Sequence, residues 1–196
     1  IRARPPTMDP VEINAGAWYL RALRADERID DRHAVVASCA DPHIRRWRHR
    51  PAPDLIEADT YIRRRARDWS RDERYTWAVC EPTTGEMLGE VSLDAVDLAM
   101  GTAEAACWAL PAARGRGMIT TALGAVLRFG FGGLGLQRVS YLWGVGNDAS
   151  GRVAEKCGFT VEGRMRSAWV AAQGRVDIMA AGRLATDELA PDSTPT

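Results

Sequence analysis

Residues 112–123, AARGRGMITTAL, place two arginines and two glycines between a strand-like run at 105–110 and an apolar helical run at 119–131. Glycines let a backbone turn sharply and approach a ligand closely. The first N–H groups of the following helix then favour an anion, helped by the helix dipole. The arrangement predicts a phosphate site to which Arg114 and Arg116 add positive charge. The alternative is an ordinary surface loop, because a Gly-Arg-Gly sequence alone is a weak signal.

A second polar segment, NDASGRVAEKCGF at 147–159, follows one helix and one strand later. Asn147 and Ser150 carry an amide and a hydroxyl that are able to bind a polar ligand. They are also favoured N-cap residues of a short helix, and without the upstream turn this capping role is the simpler interpretation. Lys156 suits a helix C-terminus without touching any ligand.

Composition narrows the class of protein. The chain has 196 residues, 46% hydrophobic and 27% charged, with a formal net charge of zero. These values are typical of one globular domain and argue against nucleic-acid binding driven by bulk charge. No apolar run reaches the roughly 20 residues of a membrane span, and the first residues do not resemble a signal peptide. The four cysteines lack zinc-site spacing, so we expect free thiols, no metal and a cytoplasmic protein.

Strands and helices must position these candidate site residues. The order of helical and strand-like segments predicts a mixed α/β domain at 16–185. An irregular segment at 1–15 precedes it, and a disordered tail at 186–196 follows it. Asp41-Pro42 is expected to end a helix, a loop to follow at 45–53, and Asp54 with Glu57 to cap the next helix. The predicted strands are 18–23, 75–80, 87–94, 102–110, 139–145, 160–170 and 175–184, and the predicted helices are 29–40, 54–70, 119–132 and 149–156.

Taken together, the motifs resemble the GNAT acetyltransferases, and within them the ribosomal-protein N-acetyltransferase (RimJ/RimL-like) branch. The resemblance rests on the Arg-Gly-Arg-Gly turn, the stretch from Asn147 to Phe159, the AExxxWxxP pattern from Ala103 to Pro111, and the hairpin end at 174–177. It implies the GNAT fold, in which helices flank a central, mixed but mostly antiparallel sheet with splayed strands.

The resemblance also implies a ligand, acetyl-CoA or another acyl-CoA. The turn and helix start would bind its pyrophosphate, an exposed strand edge would pair with the peptide-like pantetheine arm, and Asn147 would hold the arm near its thioester. The binding residues implied in this way are Trp108, Ala109, Leu110, Arg114, Gly115, Arg116, Gly117, Met118, Ile119, Thr120, Asn147 and Ser150.

The implied reaction transfers the acyl group directly to a primary amine. A backbone N–H of Ala109 or Leu110 would bind the oxyanion, and Ser150 would act as acid for the leaving thiolate. Some GNAT enzymes carry a glutamate in the strand that here reads LWGV at 142–145. Without it, Glu104 is the first candidate base, and Glu90 and Asp94 come next. This chain also departs from the pattern of the branch at Cys107 and Thr121, and from the phosphate motif of the broader family at Ala112.

The acceptor remains open between a protein N-terminus and a small-molecule amine. In this fold the acceptor pocket would involve the arginine-rich stretch at 45–50, the helix at 54–70 and Trp169, although a solvated arginine face is the simpler interpretation. The resemblance leaves a homodimer open. A catalytically weak acyl-CoA-binding protein with a regulatory or interaction role is the alternative. An RNA-associated module is disfavoured by the zero net charge.

Overall fold

The structure is a computed structural model that describes residues 9–47 and 53–187. Within these residues the chain combines eight strands with five α-helices, as in a mixed α/β domain. The strands are β1 (Ile13–Ala15), β2 (Trp18–Arg21), β3 (Tyr75–Cys80), β4 (Met87–Asp97), β5 (Thr102–Ala109), β6 (Arg138–Gly144), β7 (Thr160–Ala171) and β8 (Gly174–Leu184). The helices are α1 (Arg32–Ala40), α2 (Pro42–Trp47), α3 (Leu55–Ser70), α4 (Met118–Gly132) and α5 (Asp148–Lys156), with a 3₁₀ turn at Pro111–Ala113.

The described strands form one sheet in the order β1-β2-β3-β4-β5-β6-β8-β7. Neighbouring strands are antiparallel except β5 and β6, which run parallel. The crossover between these two strands contains α4, as a parallel connection requires. The predicted fold class, a mostly antiparallel mixed sheet flanked by helices, is confirmed.

The parallel pair separates soon after it begins. Pairing runs only from Thr102 with Arg138 to Ala105 with Tyr141, although β5 continues to Ala109 and β6 to Gly144. β5 meanwhile remains paired to β4 as far as Gly89 opposite Ala109. The two strands therefore splay, as predicted, and leave an opening in the middle of the sheet.

Helices cover both faces of the sheet and bury two apolar clusters. The larger cluster joins the sheet to the apolar face of α4 and to α5, and includes Trp69, Trp77 and Leu123. The second cluster lies beneath α1 and α3 and includes Ile62 and Trp108. Helix α3 begins with the predicted capping box, in which Asp54 and Glu57 each accept a hydrogen bond from the other's backbone N–H. The two clusters hold the helices against the sheet, one cluster on each face.

One helix was missed, because Pro42 was interpreted as the end of a helix and the following residues as loop. Proline is compatible with a first helical turn, where its missing N–H would have no partner. The Asp41 side chain accepts the Ile44 N–H at 3.0 Å, which favours the new start, and α2 then extends to Trp47. Residues 48–52 of the predicted loop lie outside the described residues.

One smaller expectation was also wrong. Residues 13–15 of the segment expected to be irregular form β1, which pairs with β2 across a turn where Gly16 has φ +62°. On α3, Arg65 is only 6% exposed, because its guanidinium pairs with Asp68 at 2.8 Å and stacks on Tyr61. The predicted tail from 188 onwards lies outside the described residues.

Candidate functional site

A cleft of about 450 Å³ opens where β5 and β6 separate. Its walls come from the end of β5, the turn at 113–117, the start of α4, β6, α5 and the newly found α2. All but three of the predicted site residues line it: Trp108, Ala109, Arg114, Gly115, Gly117, Met118, Ile119, Thr120, Asn147 and Ser150. The exceptions are Glu104, Leu110 and Arg116.

The glycine turn has the conformation that the sequence predicts for an anion site. Gly115 and Gly117 have φ of +75° and +72°, a region that disfavours residues with a Cβ. A Cβ at either position would meet no atom within 4 Å, so the backbone angle, and not crowding, requires glycine. Gly117 is the N-cap of α4 and offers no side chain to cap it. The first N–H groups of α4 therefore remain suited to bind an anion.

The two arginines of the turn are engaged with protein groups. Arg114 donates its Nε to the Ala109 carbonyl at 3.1 Å and an Nη to Asp41 at 2.7 Å. The Arg116 guanidinium stacks on the ring of Trp18, 4.8 Å from its centroid, and lies outside the cleft. Arg114 thus ties the turn to β5 and to the start of α2, and the role of Arg116 at the phosphate site stays a prediction.

Positive charge reaches the cleft instead from α5. Arg152 and Lys156 line it together with Ala149 and Val153. These four positions follow i, i+3, i+4 and i+7, which place side chains on one helix face. That spacing was the signal available in the sequence, where Lys156 was explained by the helix dipole and Arg152 was overlooked.

The backbone hydrogen bonds of β5 show which of the two candidate oxyanion donors, Ala109 and Leu110, has its N–H directed at the cleft. The Leu110 N–H donates to the Leu88 carbonyl at 2.9 Å and so belongs to the sheet. Its side chain packs in the second apolar cluster, away from the cleft. Successive N–H groups of a strand point to opposite edges, so the Ala109 N–H and C=O point towards the cleft. Leu110 was therefore wrong as a candidate donor, and Ala109 remains.

Asn147 and Ser150 lie together at the start of α5. The Asn147 Oδ1 accepts the Ser150 N–H at 3.3 Å, so the capping role foreseen for Asn147 is present. The Ser150 Oγ lies 2.8 Å from the hydroxyl of Tyr141, which in turn lies 3.2 Å from the Cys107 Sγ. Both Cys107 and Tyr141 line the cleft. Tyr141 was predicted only as a strand residue, because alternation along β6 does not distinguish a core ring from a site ring.

The three candidate bases all lie outside the lining of the cleft, which includes no Asp or Glu among the described residues. Glu104 shares a β5 face with Trp108 and comes one residue before the last pair of β5 with β6. Burial, and then the nearby charge of Asp94, raise the pKa of Glu104. The Glu90 carboxylate is buried and accepts the Tyr61 hydroxyl at 2.8 Å.

Asp94 is the third of these carboxylates and is engaged by Arg74, whose Nε lies 2.9 Å from it. This ion pair and the burial of Glu90 leave Glu104 as the half-buried carboxylate nearest to the point where the strands part.

Helix α2 forms the remaining wall through His43, Ile44 and Trp47. Trp47 lies so close to β6 that a Cβ at Gly144 would come within 2.5 Å of its ring. Other parts of the predicted acceptor pocket do not line the cleft. Arg45 and Arg46 are exposed, Trp169 lies on β7, and 48–50 are outside the described residues.

The described residues lack two other kinds of feature. No group of three or more His, Cys, Asp or Glu side chains is arranged there to hold a metal ion. Among the described helices, none has the length and apolarity needed to cross a membrane.

Comparison with known proteins assigns the family. Residues 19–160 match the acetyltransferase (GNAT) domain model, and the chain belongs to this family. A Bacillus subtilis (strain 168) protein, YdaF, named as a ribosomal N-acetyltransferase, is 32% identical over 117 residues. That match spans 59% of this chain and 64% of YdaF, so the chain spans less than two thirds of this curated relative.

Solved structures share the fold over nearly the whole chain. A RimL ribosomal L7/L12 α-N-protein acetyltransferase in complex with coenzyme A has a TM-score of 0.79 at 20% identity, covering 89% of this chain and 98% of that one. Mycobacterium smegmatis RimJ in complex with CoA-disulfide has a TM-score of 0.76 at 19% identity, covering 89% and 85%.

Proposed function

We propose that the protein is an acetyl-CoA-dependent N-acetyltransferase that acetylates a primary amine. The observation that carries this proposal is the meeting of three features in one cleft. These are the glycine turn before α4, the cleft-facing edge of β5 at Ala109 and the hydroxyl of Ser150. Membership of the GNAT family supports the proposal.

Each wall of the cleft has a role in binding. The first N–H groups of α4 receive the pyrophosphate, and Arg152 and Lys156 of α5 add positive charge for the phosphates. The β5 edge at Cys107 pairs with the amides of the pantetheine arm. The bound co-substrate supplies a thioester carbonyl for attack by the amine.

Three groups act on the reacting atoms. The Ala109 N–H stabilises negative charge on the carbonyl oxygen. Ser150 stabilises the leaving thiolate, and Asn147 fixes the start of α5 through its cap to the Ser150 N–H. The Glu104 side chain lies on the face of β5 opposite to that of Ala109, close to the point where the strands part. It takes the proton of the amine directly or through water. Burial and the charge of Asp94 raise the pKa of Glu104, which makes its carboxylate a stronger base.

The acceptor class follows from the named relatives and remains a proposal. YdaF and RimL are named for ribosomal substrates, which favours a protein N-terminal amine over a small-molecule amine. The cytoplasmic location stays a prediction. Whether the protein forms a homodimer stays open, and light scattering of the purified chain tests it.

Calorimetric titration with acetyl-CoA, compared with dephospho-CoA, tests the proposal first. We expect micromolar binding of acetyl-CoA and weaker binding of dephospho-CoA, which lacks the 3′-phosphate. Thiol release in the presence of peptide and small-molecule amines then identifies the acceptor class. Binding without thiol release from any amine would favour the alternative, a catalytically weak acyl-CoA-binding protein, whereas absence of binding would contradict both.

A further inference from the structure

Three polar side chains span the opening between β5 and β6. The Cys107 Sγ lies 3.2 Å from the Tyr141 hydroxyl, and that hydroxyl lies 2.8 Å from the Ser150 Oγ. Tyr141 is the last β6 residue paired with β5, opposite Ala105, so its side chain projects where the strands part. The chain of contacts therefore joins the two separating strands to the first turn of α5.

The Tyr141 ring is held firmly in this position. The residue is 2% exposed, and its ring centroid lies 5.3 Å from that of Phe159 and 5.9 Å from that of Trp143. A buried phenol needs a hydrogen-bond partner, and here the available partners are the thiol and the serine. The hydroxyl is thus fixed in the cleft by packing around the ring.

The hydrogen atoms shared by Cys107, Tyr141 and Ser150 can be assigned by counting the donors and acceptors of these three side chains. Each of the three groups carries one hydrogen, and a cysteine sulfur is a weaker acceptor than a serine oxygen. The best arrangement has the Cys107 S–H donating to Tyr141 and the Tyr141 O–H donating to Ser150. The Ser150 O–H is then not used by Tyr141 and is available to point into the cleft.

We propose that Tyr141 is a positioning residue, which holds Ser150 so that the serine O–H points at the sulfur of the bound thioester. This inference rests on the proposed acetyltransferase function. The amine nitrogen first bonds to the thioester carbon. When the tetrahedral intermediate collapses, the carbon–sulfur bond breaks with its electron pair on sulfur, and Ser150 donates a hydrogen bond to the thiolate. The amine proton leaves separately, and Tyr141 keeps its proton throughout. Because hydrogen bonds in a chain polarise one another, Ser150 becomes a stronger donor.

The surroundings of Tyr141 keep it in the required neutral form. Burial, followed by the proximity of Cys107, raises the pKa of Tyr141 well above its ordinary value. The titratable groups that face it are Cys107 from β5 and Cys157 after α5, and Arg152 and Lys156 line the same cleft. A neutral phenol can accept the hydrogen bond from Cys107 and donate one to Ser150, as the proposed arrangement requires.

A double-mutant cycle tests the inference with Tyr141→Phe, Ser150→Ala and the double variant. Tyr141→Phe retains the ring and removes only the hydroxyl. Tyr75→Phe is the matched control, because Tyr75 is also buried and its hydroxyl bonds to Asp72 at 2.8 Å, outside the cleft. The readouts are kcat for thiol release, the Kd of acetyl-CoA and the thermal unfolding midpoint.

We expect Tyr141→Phe to lower kcat by up to about tenfold, the scale of one hydrogen bond between neutral groups, because Tyr141 acts on the sulfur only through Ser150. The Kd of acetyl-CoA should stay unchanged. In the Ser150→Ala background the same change should have no further effect, since Tyr141 acts through Ser150. Tyr75→Phe should leave kcat unchanged. A second variant, Cys107→Val, removes the donor at the far end and should lower kcat by roughly two- to threefold.

Three outcomes would overturn the inference and leave the proposed function standing, and the first two concern kcat. One is a wild-type kcat in Tyr141→Phe, and the other is a full additional loss when Tyr141→Phe is combined with Ser150→Ala. The absence of thiol release from the wild-type protein with every amine would instead overturn the proposed function, and this inference with it. A parallel rise in the Kd of acetyl-CoA would show that Tyr141 is only a binding or packing residue.

Discussion

The two walls of the cleft contribute different chemistry. The β5 wall, residues 107–109 with the turn at 113–117, acts through its backbone, by strand-edge N–H and C=O groups and by glycines with positive φ. The α5 wall, residues 141–156, acts through side chains, namely the hydroxyls of Tyr141 and Ser150 and the cations Arg152 and Lys156. Substitutions on the β5 wall should therefore matter most when they remove a backbone donor or place a negative charge beside the backbone N–H groups, and the side chains of this wall should contribute less.

The largest expected effect comes from removing one backbone donor of the β5 wall. Ala109→Pro deletes an N–H that points to the cleft and away from β4, so no sheet hydrogen bond is lost with it. We expect kcat to fall by about 100-fold or more, the usual cost of losing one oxyanion-hole donor. Stopped-flow or steady-state thiol release measures the effect.

Ala109→Ser is the matched control because it changes the side chain and keeps the N–H. Its kcat should stay within about threefold of the wild type, in keeping with the small effect of most surface changes. Equal losses in the serine and proline variants would show that the β5 wall acts through its side chain, and the contrast between the walls would disappear.

Glu104→Gln examines the base, which neither wall supplies. The wild-type kcat/KM should rise as pH increases through the raised pKa of Glu104, because only the carboxylate accepts a proton. The variant should lack this limb and be about 100-fold slower on the plateau, the scale of general-base catalysis. Superimposable pH profiles would remove Glu104 from the mechanism.

Stability gives an independent check on the same carboxylate. Its pKa is raised above the ordinary 4.5, so the folded state binds the proton more tightly than the unfolded state. The free energy of unfolding of the wild type, relative to Glu104→Gln, should therefore fall as pH rises from about 4.5 through the folded pKa. Denaturant unfolding at a series of pH values measures this difference.

Gly117→Asp probes the backbone of the turn before α4. A carboxylate here would repel the pyrophosphate, and the residue would have to adopt φ +72°. We expect the Kd of acetyl-CoA to rise by at least about tenfold. Gly117→Asn controls for the backbone angle, which asparagine tolerates, and should cost much less. Isothermal titration compares the two.

Gly135→Asp supplies the second control, because Gly135 also has φ +71° and open space around its Cβ position but lies outside the cleft. If both aspartate variants bind acetyl-CoA like the wild type, the turn is not the phosphate site.

The difference between the walls also explains what the sequence could predict. The periodicity of α4 and the glycines of the turn are local signals, so the helix, the turn and the splayed sheet followed from short stretches and from the family resemblance. The hydrogen bond between Arg114 and Asp41 joins positions 73 residues apart, and that between Cys107 and Tyr141 joins positions 34 apart. No local pattern contains such contacts.

The sequence did not predict helix α2 for a related reason. Its start at Pro42 is a local signal with two meanings, because proline both ends helices and begins them. What holds the helix is tertiary: Trp47 packs against β6, where Gly144 has no Cβ to exclude the ring. A lone glycine in a strand indicates a close approach, but the sequence does not say which residue approaches.

The smallest expected effect comes from the ion pair between Arg114 of the glycine turn and Asp41, which lies just before α2. Burial opposes ionisation of Asp41, but the hydrogen bonds from Arg114 and the Ile44 N–H outweigh it and lower its pKa. Asp41→Asn should weaken acetyl-CoA binding by only about two- to fivefold, since the turn retains its glycines, and should cost about 1 kcal/mol of stability.

Because the folded pKa of Asp41 is depressed, its contribution is present above the ordinary value of 3.8 and is lost as pH falls through the folded pKa. Thermal unfolding of the wild type and Asp41→Asn should therefore differ at pH 7 and converge at strongly acidic pH. Asp59→Asn breaks an exposed pair with Arg63, 2.7 Å apart, and should change neither stability nor affinity appreciably. An equal effect of the two variants would mean that Asp41 acts only as a surface charge and does not fix the β5 wall.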